Sequence, residues 1–259
     1  MKRIVEAISL NLVEKGGGDT SLVFLHYWGG THRTWNRVAE ELAGAFHTVT
    51  YDMRGWGQSD SAESGYSLTE LANEAASLIH QLKLTKYVLV GHSMGGKVAQ
   101  LLASRHPAGL VGLVLVAPAA PTPTRFPEEA RQQQIHAYDN RDTVLKTIAF
   151  LSARTPAPEI VEQIVEDSLS SAPEAKLAWP TSAILEDISA DVPRIDVPTL
   201  VLAGENDRLD SVEQHRREIL SRIANSRLAI IPDSGHLIPI DEPVRLARAI
   251  ESFVAQLHA

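Results

Sequence analysis

The chain has 259 residues, a formal net charge of −8 and no cysteine. Its acidic balance argues against nucleic acid or an anionic membrane as partner. The lack of cysteine excludes disulfides, thiolate catalysis and cysteine-rich metal sites. The length suits one large domain with room for an insertion. Met1-Lys2-Arg3 could begin a signal peptide, but no apolar stretch follows, and no run is long enough to span a bilayer. A soluble cytoplasmic protein is the expectation.

In chain order, residues 4–14 alternate apolar and polar, as one or two edge strands would. Lys15-Gly16-Gly17-Gly18-Asp19 is a turn. Residues 22–25 are continuously apolar, like a strand buried on both faces, and His26-Tyr27-Trp28-Gly29-Gly30 stands at its end. Residues 34–43 read as a helix and 47–51 as the next strand, followed by Asp52-Met53-Arg54-Gly55-Trp56-Gly57-Gln58-Ser59. Ser67-Leu68-Thr69-Glu70 is a capping box. The helix it opens carries Leu71, Ala75, Leu78, Ile79 and Leu82 on one face. A strand at 87–90 leads into Gly91-His92-Ser93-Met94-Gly95-Gly96 and a helix from Lys97, with Val98, Leu101 and Leu102 facing inward and Lys97 expected to project outward. Residues 111–116 are another buried strand. Strands alternating with helices predict a parallel sheet with right-handed crossovers.

At Ala117-Pro118 the rhythm changes. From there to about residue 190 the patterns are helical without a convincing strand, and Pro156, Pro158, Pro173 and Pro180 are expected to break them into short pieces. A strand resumes at 199–203, with Gly204-Glu205-Asn206-Asp207 at its carboxyl end, where open α/β sheets place functional groups. A last strand at 228–231 ends in Pro232-Asp233-Ser234-Gly235-His236. From Pro243 a closing helix shows Val244, Leu246, Ala247, Ile250 and Val254 as its buried stripe.

Gly-x-Ser-x-Gly between a strand and a helix is the pattern of a nucleophile elbow. Ser93 must take a strained backbone so that its hydroxyl stands clear, and a Cβ at Gly91 or Gly95 would collide with its neighbours. Two other readings compete. Residues 91–97 also spell G-x-x-x-x-G-K, most of a phosphate-binding loop, but Val98 stands where such a loop needs Ser or Thr for magnesium. Ser93 could also simply cap a helix. The wider pattern decides against both: Ser93, Asp207 and His236 each follow a strand, in the chain order Ser, Asp, His.

On the elbow, the D-x-R-G-x-G-x-S segment at 52–59, the G-x-x-D at 204–207 and the late His236, the chain resembles the α/β-hydrolase fold family. The resemblance implies an α/β fold, with a mostly parallel central sheet flanked by helices. Residues 1–118 and 191–259 would form the core and 119–190 a helical cap inserted over the site. It implies that Ser93 attacks a carbonyl, that His236 relays the proton, and that Asp207 orients and supports the imidazole. Glu205 and Asp210 are nearby competitors for the acid role, and Asp207 is preferred on spacing. Backbone N–H groups of Trp28 and Met94 would form the oxyanion hole, although Tyr27 stands where the family usually has glycine. His26 would order that loop, and Asp52 and Arg54 would brace the neighbouring one. Tyr27, His92, Phe126, Tyr138 and Trp179 are the candidate pocket residues. Serine at the elbow argues against the dehalogenases and epoxide hydrolases of this fold, which carry Asp there. The expected reaction is hydrolysis of a carboxylic ester of a small, mostly apolar substrate, with no cofactor and no metal. Lactonase, C–C hydrolase and cofactor-free perhydrolase activities share the same machinery, and a ligand receptor retaining the triad is the alternative of another class. The expected partner is a small-molecule ester or lactone, with no nucleic acid and no membrane.

Overall fold

Apolar runs buried on both faces form the middle of an eight-stranded sheet in this computed structural model, which describes residues 1–5 and 8–257. The strands are β1 (Lys2–Val5), β2 (Ile8–Lys15), β3 (Ser21–Leu25), β4 (His47–Tyr51), β5 (Tyr87–His92), β6 (Leu110–Val116), β7 (Thr199–Gly204) and β8 (Ser226–Ile231). Their spatial order is β1-β2-β4-β3-β5-β6-β7-β8. β1 pairs with β2, and β2 with β4, antiparallel; all later neighbours are parallel. The expected edge strands are β1 and β2; Glu6 and Ala7, between them, lie outside the described residues.

The helices are α1 (Asn36–Leu42), α2 (Leu68–Gln81), α3 (Met94–Ala103), α4 (Glu128–Ile135), α5 (Arg141–Leu151), α6 (Pro158–Leu169), α7 (Pro173–Thr181), α8 (Val212–His215), α9 (Ile238–Asp241) and α10 (Pro243–Gln256). The two-residue period of the strands divides the core in two. Leu22 and Phe24 of β3 join Val88 and Val90 of β5 against Trp35, Val38, Leu246 and Ile250, the side covered by α1 and α10. Val23, Leu25 and Leu89 face the other way, toward Leu71, Leu78, Val98 and Leu101 of α2 and α3. Each face of a buried parallel strand thus meets a helix. The predicted capping box closes at the start of α2: the Ser67 side chain accepts from Glu70 N, and Glu70 accepts from the Ser67 backbone.

Between β6 and β7 the described chain runs through α4 to α7 without a strand. Pro158 and Pro173 occupy first-turn positions of α6 and α7, where the missing N–H leaves no helical bond unmade. Pro180 departs from expectation. It lies inside α7, which ends one residue later at Thr181, and the carbonyl its missing N–H would have served, Lys176 O, accepts from Trp28 Nε1 instead.

Candidate active site

Three strands, β5, β7 and β8, carry the site on the loops that follow them at the carboxyl edge of the sheet, with β6 between β5 and β7. β5 runs into the elbow, where Ser93 has φ 52° and ψ −112°. A non-glycine residue held there stores strain that its surroundings must hold in place. They do so through hydrogen bonds from Ser93 N to Val116 O and from Ala119 N to Ser93 O, both 3.1 Å. A Cβ on Gly91 would lie 2.4 Å from Gly95 O, and one on Gly95 would lie 2.5 Å from Leu25 O. The flanking glycines are what allow β5, α3 and the end of β3 to meet this closely.

Ser93 Oγ lies 2.9 Å from His236 Nε2, and His236 Nδ1 lies 2.8 Å from Asp207 Oδ2. The other Asp207 oxygen accepts from Leu209 N at 2.8 Å and Asp210 N at 3.0 Å. Burial alone would raise the Asp207 carboxyl. The charge and hydrogen bond of His236, with those two N–H groups, hold it below the usual carboxylate value. Burial would likewise depress His236, but Asp207, through charge and hydrogen bond, and then Asp210 outweigh it and raise the imidazole above its ordinary value. Asp207 therefore fixes the proton on Nδ1 and leaves Nε2 free to accept from Ser93. Glu205 turns away and accepts from Asp233 N. Asp210 does not: it is buried, with Oδ2 3.9 Å from His236 Nδ1.

The loop after β3 is tied down from both sides. His26 Nε2 accepts from Met53 N at 3.1 Å, so its Nδ1 carries the proton and donates to Tyr27 O at 2.8 Å. Burial lowers the His26 pKa to about 4, so the ring stays neutral and keeps that tautomer. Beyond it, Tyr138 Oη donates to Trp28 O at 2.7 Å, Trp28 Nε1 to Lys176 O at 3.0 Å, and Ser168 Oγ to Gly29 O at 2.9 Å. The α4–α7 segment thus grips the loop. Met94 is the first residue of α3, so its N–H has no partner within the helix. Among the described residues neither Met94 N–H nor Trp28 N–H donates elsewhere. Asp52 accepts from Asn11 Nδ2, Gln58 N, His32 N and His32 Nδ1. Burial would raise its carboxyl, yet those bonds and the His32 charge bring it down to about 2. Arg54 instead pairs with buried Glu74 of α2 at 2.9 Å.

Ser93 and His236 open onto a cavity of about 1000 Å³ with mostly apolar walls. Tyr27, Trp28, Phe126, Tyr138 and Trp179 line it. His92, expected among them, does not. It ends β5 fully buried beneath the site, donates Nε2–H to His236 O at 2.8 Å, and stacks on Tyr27 with centroids 5.1 Å apart. A further wall is formed by Thr143, Lys146, Thr147, Phe150 and Leu151 of α5; of these only Phe150, one of the aromatic residues of 119–190, is marked by the sequence as a lining candidate. Their i, i+3, i+4, i+7, i+8 spacing was the available signal.

Lys97 also departs from expectation. Every residue of α3 is buried, so the helix has no solvent face from which a lysine could project. Lys97 Nζ donates to Thr122 O at 3.3 Å and Ile184 O at 3.2 Å. This direction is not that of a phosphate-binding lysine reaching back over its glycine loop. Among the described residues no group of three or more His, Asp or Glu could hold a metal, and no helix is long and apolar enough to cross a membrane.

Residues 22–249 match the model of the alpha/beta hydrolase family. A putative non-heme chloroperoxidase of Synechocystis is 31% identical, the match covering 86% of each chain. A 3-oxoadipate enol-lactonase of Acinetobacter baylyi is 25% identical over 97% of this chain and 95% of its own. A thermophilic esterase structure from Thermogutta terrifontis superposes with a TM-score of 0.87 at 29% identity, covering 100% of this chain and 99% of that one. The chain belongs to the alpha/beta hydrolase family.

Proposed function

We propose that the protein is a serine hydrolase that cleaves a carboxylic ester of a small, mostly apolar substrate. The observation that carries this reading is the unbroken line Ser93 Oγ, His236, Asp207, with both links under 3 Å, opening onto the cavity. In the first half-reaction His236 Nε2 takes the Ser93 proton as Oγ attacks the ester carbonyl. The tetrahedral oxyanion forms against Trp28 N–H and Met94 N–H, which need no reorganisation to receive it. His236 then protonates the leaving alkoxide, and an acyl group remains on Ser93. In the second half-reaction water attacks the acyl carbonyl as it loses a proton to His236, the C–Oγ bond breaks to release the acid, and His236 returns the proton to Ser93 Oγ. Asp207 stays ionised throughout and stabilises the imidazolium. Residues 119–190 act as the cap: they wall the cavity and keep bulk water away from the reacting ester, which strengthens every charge interaction inside while still admitting the water of the second half-reaction.

A lactone fits the same steps, its alkoxide remaining attached to the acyl group, and the likeness to an enol-lactonase makes it the second substrate class to examine. The test is a panel of p-nitrophenyl esters of increasing acyl length together with γ-lactones, run on the wild type and on Ser93→Ala. Rapid turnover of esters that disappears in Ser93→Ala is expected. Turnover of lactones alone would move the assignment to that class. Turnover of neither, with tight binding of a small ligand, would favour a receptor.

A further inference from the structure

Beside the Asp207–His236 pair lies a second carboxylate that the mechanism above does not use. Asp210 is buried in the loop just before α8, three residues after Asp207. Its Oδ1 accepts from Gln214 Nε2 at 2.6 Å, which aims the carboxyl, and its Oδ2 stands 3.9 Å from His236 Nδ1. That is about 1 Å beyond the distance at which Asp207 holds the same nitrogen. We propose that Asp210 is a positioning residue of this site, a reserve acid that takes over the Nδ1–H of His236 when Asp207 is lost and that modulates the imidazole while Asp207 is present. The proposal rests on the triad reading and deepens it.

The surroundings fit such a role. His236 faces Asp210 from the loop after β8, Asp207 from its own loop, Gln214 from α8 and Lys97 from α3. His215, next along α8, faces Asp207 and His236 and is kept neutral by burial, its pKa lowered to about 4. Burial, reinforced by Asp207 and opposed by His236, pushes the Asp210 carboxyl up to about 7. In the resting enzyme near neutral pH, Asp210 thus bears a proton part of the time. Removing Asp207 deletes the like charge that opposes ionisation, so Asp210 ionises more readily when it is needed.

The experiment compares Asp207→Ala, Asp210→Ala and the double variant in ester turnover, with Ser93→Ala and melting curves alongside. An unassisted triad losing its acid drops about 10⁴-fold in kcat. Asp207→Ala is expected to lose only about 100-fold, Asp210→Ala less than about tenfold, and the double variant the full ~10⁴-fold, more than the product of the singles. A purely structural role would give losses that multiply. Asp207→Ala already as slow as the double variant would overturn the proposal. A second readout does not need Asp207→Ala to fold: the His236 Nδ1 proton resonance followed with pH. It should show an additional step near pH 7 in the wild type that vanishes in Asp210→Asn; identical curves would refute the role. Ester turnover surviving in Ser93→Ala would mean instead that the triad reading itself is wrong.

Discussion

Burial of Lys97 makes the stability of the fold depend on pH. The Lys97 ammonium is buried and, among the described residues, is bonded only to Thr122 O and Ile184 O. Burial lowers its pKa from 10.5 to about 8, despite the pull of Glu186, Asp187 and Asp210 toward the charged form. Between those two values the unfolded chain holds a proton that the folded chain has released, so stability rises with pH. The full span amounts to about 3 kcal/mol at 1.36 kcal/mol per unit, and about 2.5 kcal/mol of it is gained by pH 10. The contribution is complete above the unfolded pKa and is lost as pH falls through about 8. Lys97→Met keeps the apolar stem and removes the titration. At pH 7 two changes oppose each other in this variant. A buried charge is relieved, while Thr122 O loses its donor; Ile184 O retains Thr124 N. Leaving one buried carbonyl unpaired costs about 1–3 kcal/mol, so the net change at pH 7 is small. The pH dependence is therefore the diagnostic. Urea melts of both proteins at pH 7 and pH 10 should show the wild type gaining about 2.5 kcal/mol on the variant; tyrosine ionisation is common to both and cancels. A difference that does not move with pH would refute the burial of a titrating Lys97.

Three further outcomes follow from the site. Trp28→Phe loses one indole bond, a net of about 1 kcal/mol, and should keep turnover within about tenfold. Trp28→Pro removes the proposed oxyanion donor and should cost roughly 100- to 1000-fold in kcat without loss of fold by circular dichroism; equal damage from both would assign the role to the indole. Gly95→Ala would place a Cβ 2.5 Å from Leu25 O and 2.6 Å from His26 O. It should destabilise by about 1–3 kcal/mol and slow turnover, and a variant as stable and fast as wild type would contradict the close approach. His236 acts only when neutral, and Asp207 raises it above 6.5. kcat/KM should therefore fall as pH drops through a midpoint above 6.5, whereas a limb well below 6 would show that Asp207 does not support the imidazole.

Much of the architecture is readable because it rests on local chemistry. A four-residue apolar run reads as a buried strand, Ser67 and Glu70 read as a helix start, and glycines around Ser93 read as a turn that no Cβ could enter. The neighbouring positions of Ser93, Asp207 and His236 likewise follow from strands whose carboxyl ends a parallel sheet sets along one edge. What escapes the sequence is non-local. Nothing in Gly-Gly-Lys-Val tells that residues 122 and 184 close over α3 and bury Lys97. His92 belongs to the elbow pattern, yet the pleat turns it beneath His236 and away from the cavity. Asp207 and Asp210 are three residues apart in a loop, where spacing alone cannot show that both face the same imidazole nitrogen. α5 offers a mixed face of Thr143, Lys146, Thr147 and Phe150, whose helical period is visible but whose direction depends on how the helix docks.

Covalent trapping tests Ser93 as the nucleophile most directly. An organophosphonate incubated with the protein should add one adduct by intact mass, peptide mapping should place it on Ser93, and ester turnover should vanish in step with labelling. Ser93→Ala should neither label nor turn over. An adduct on any other residue, or a Ser93→Ala protein that still hydrolyses the ester, would contradict the account.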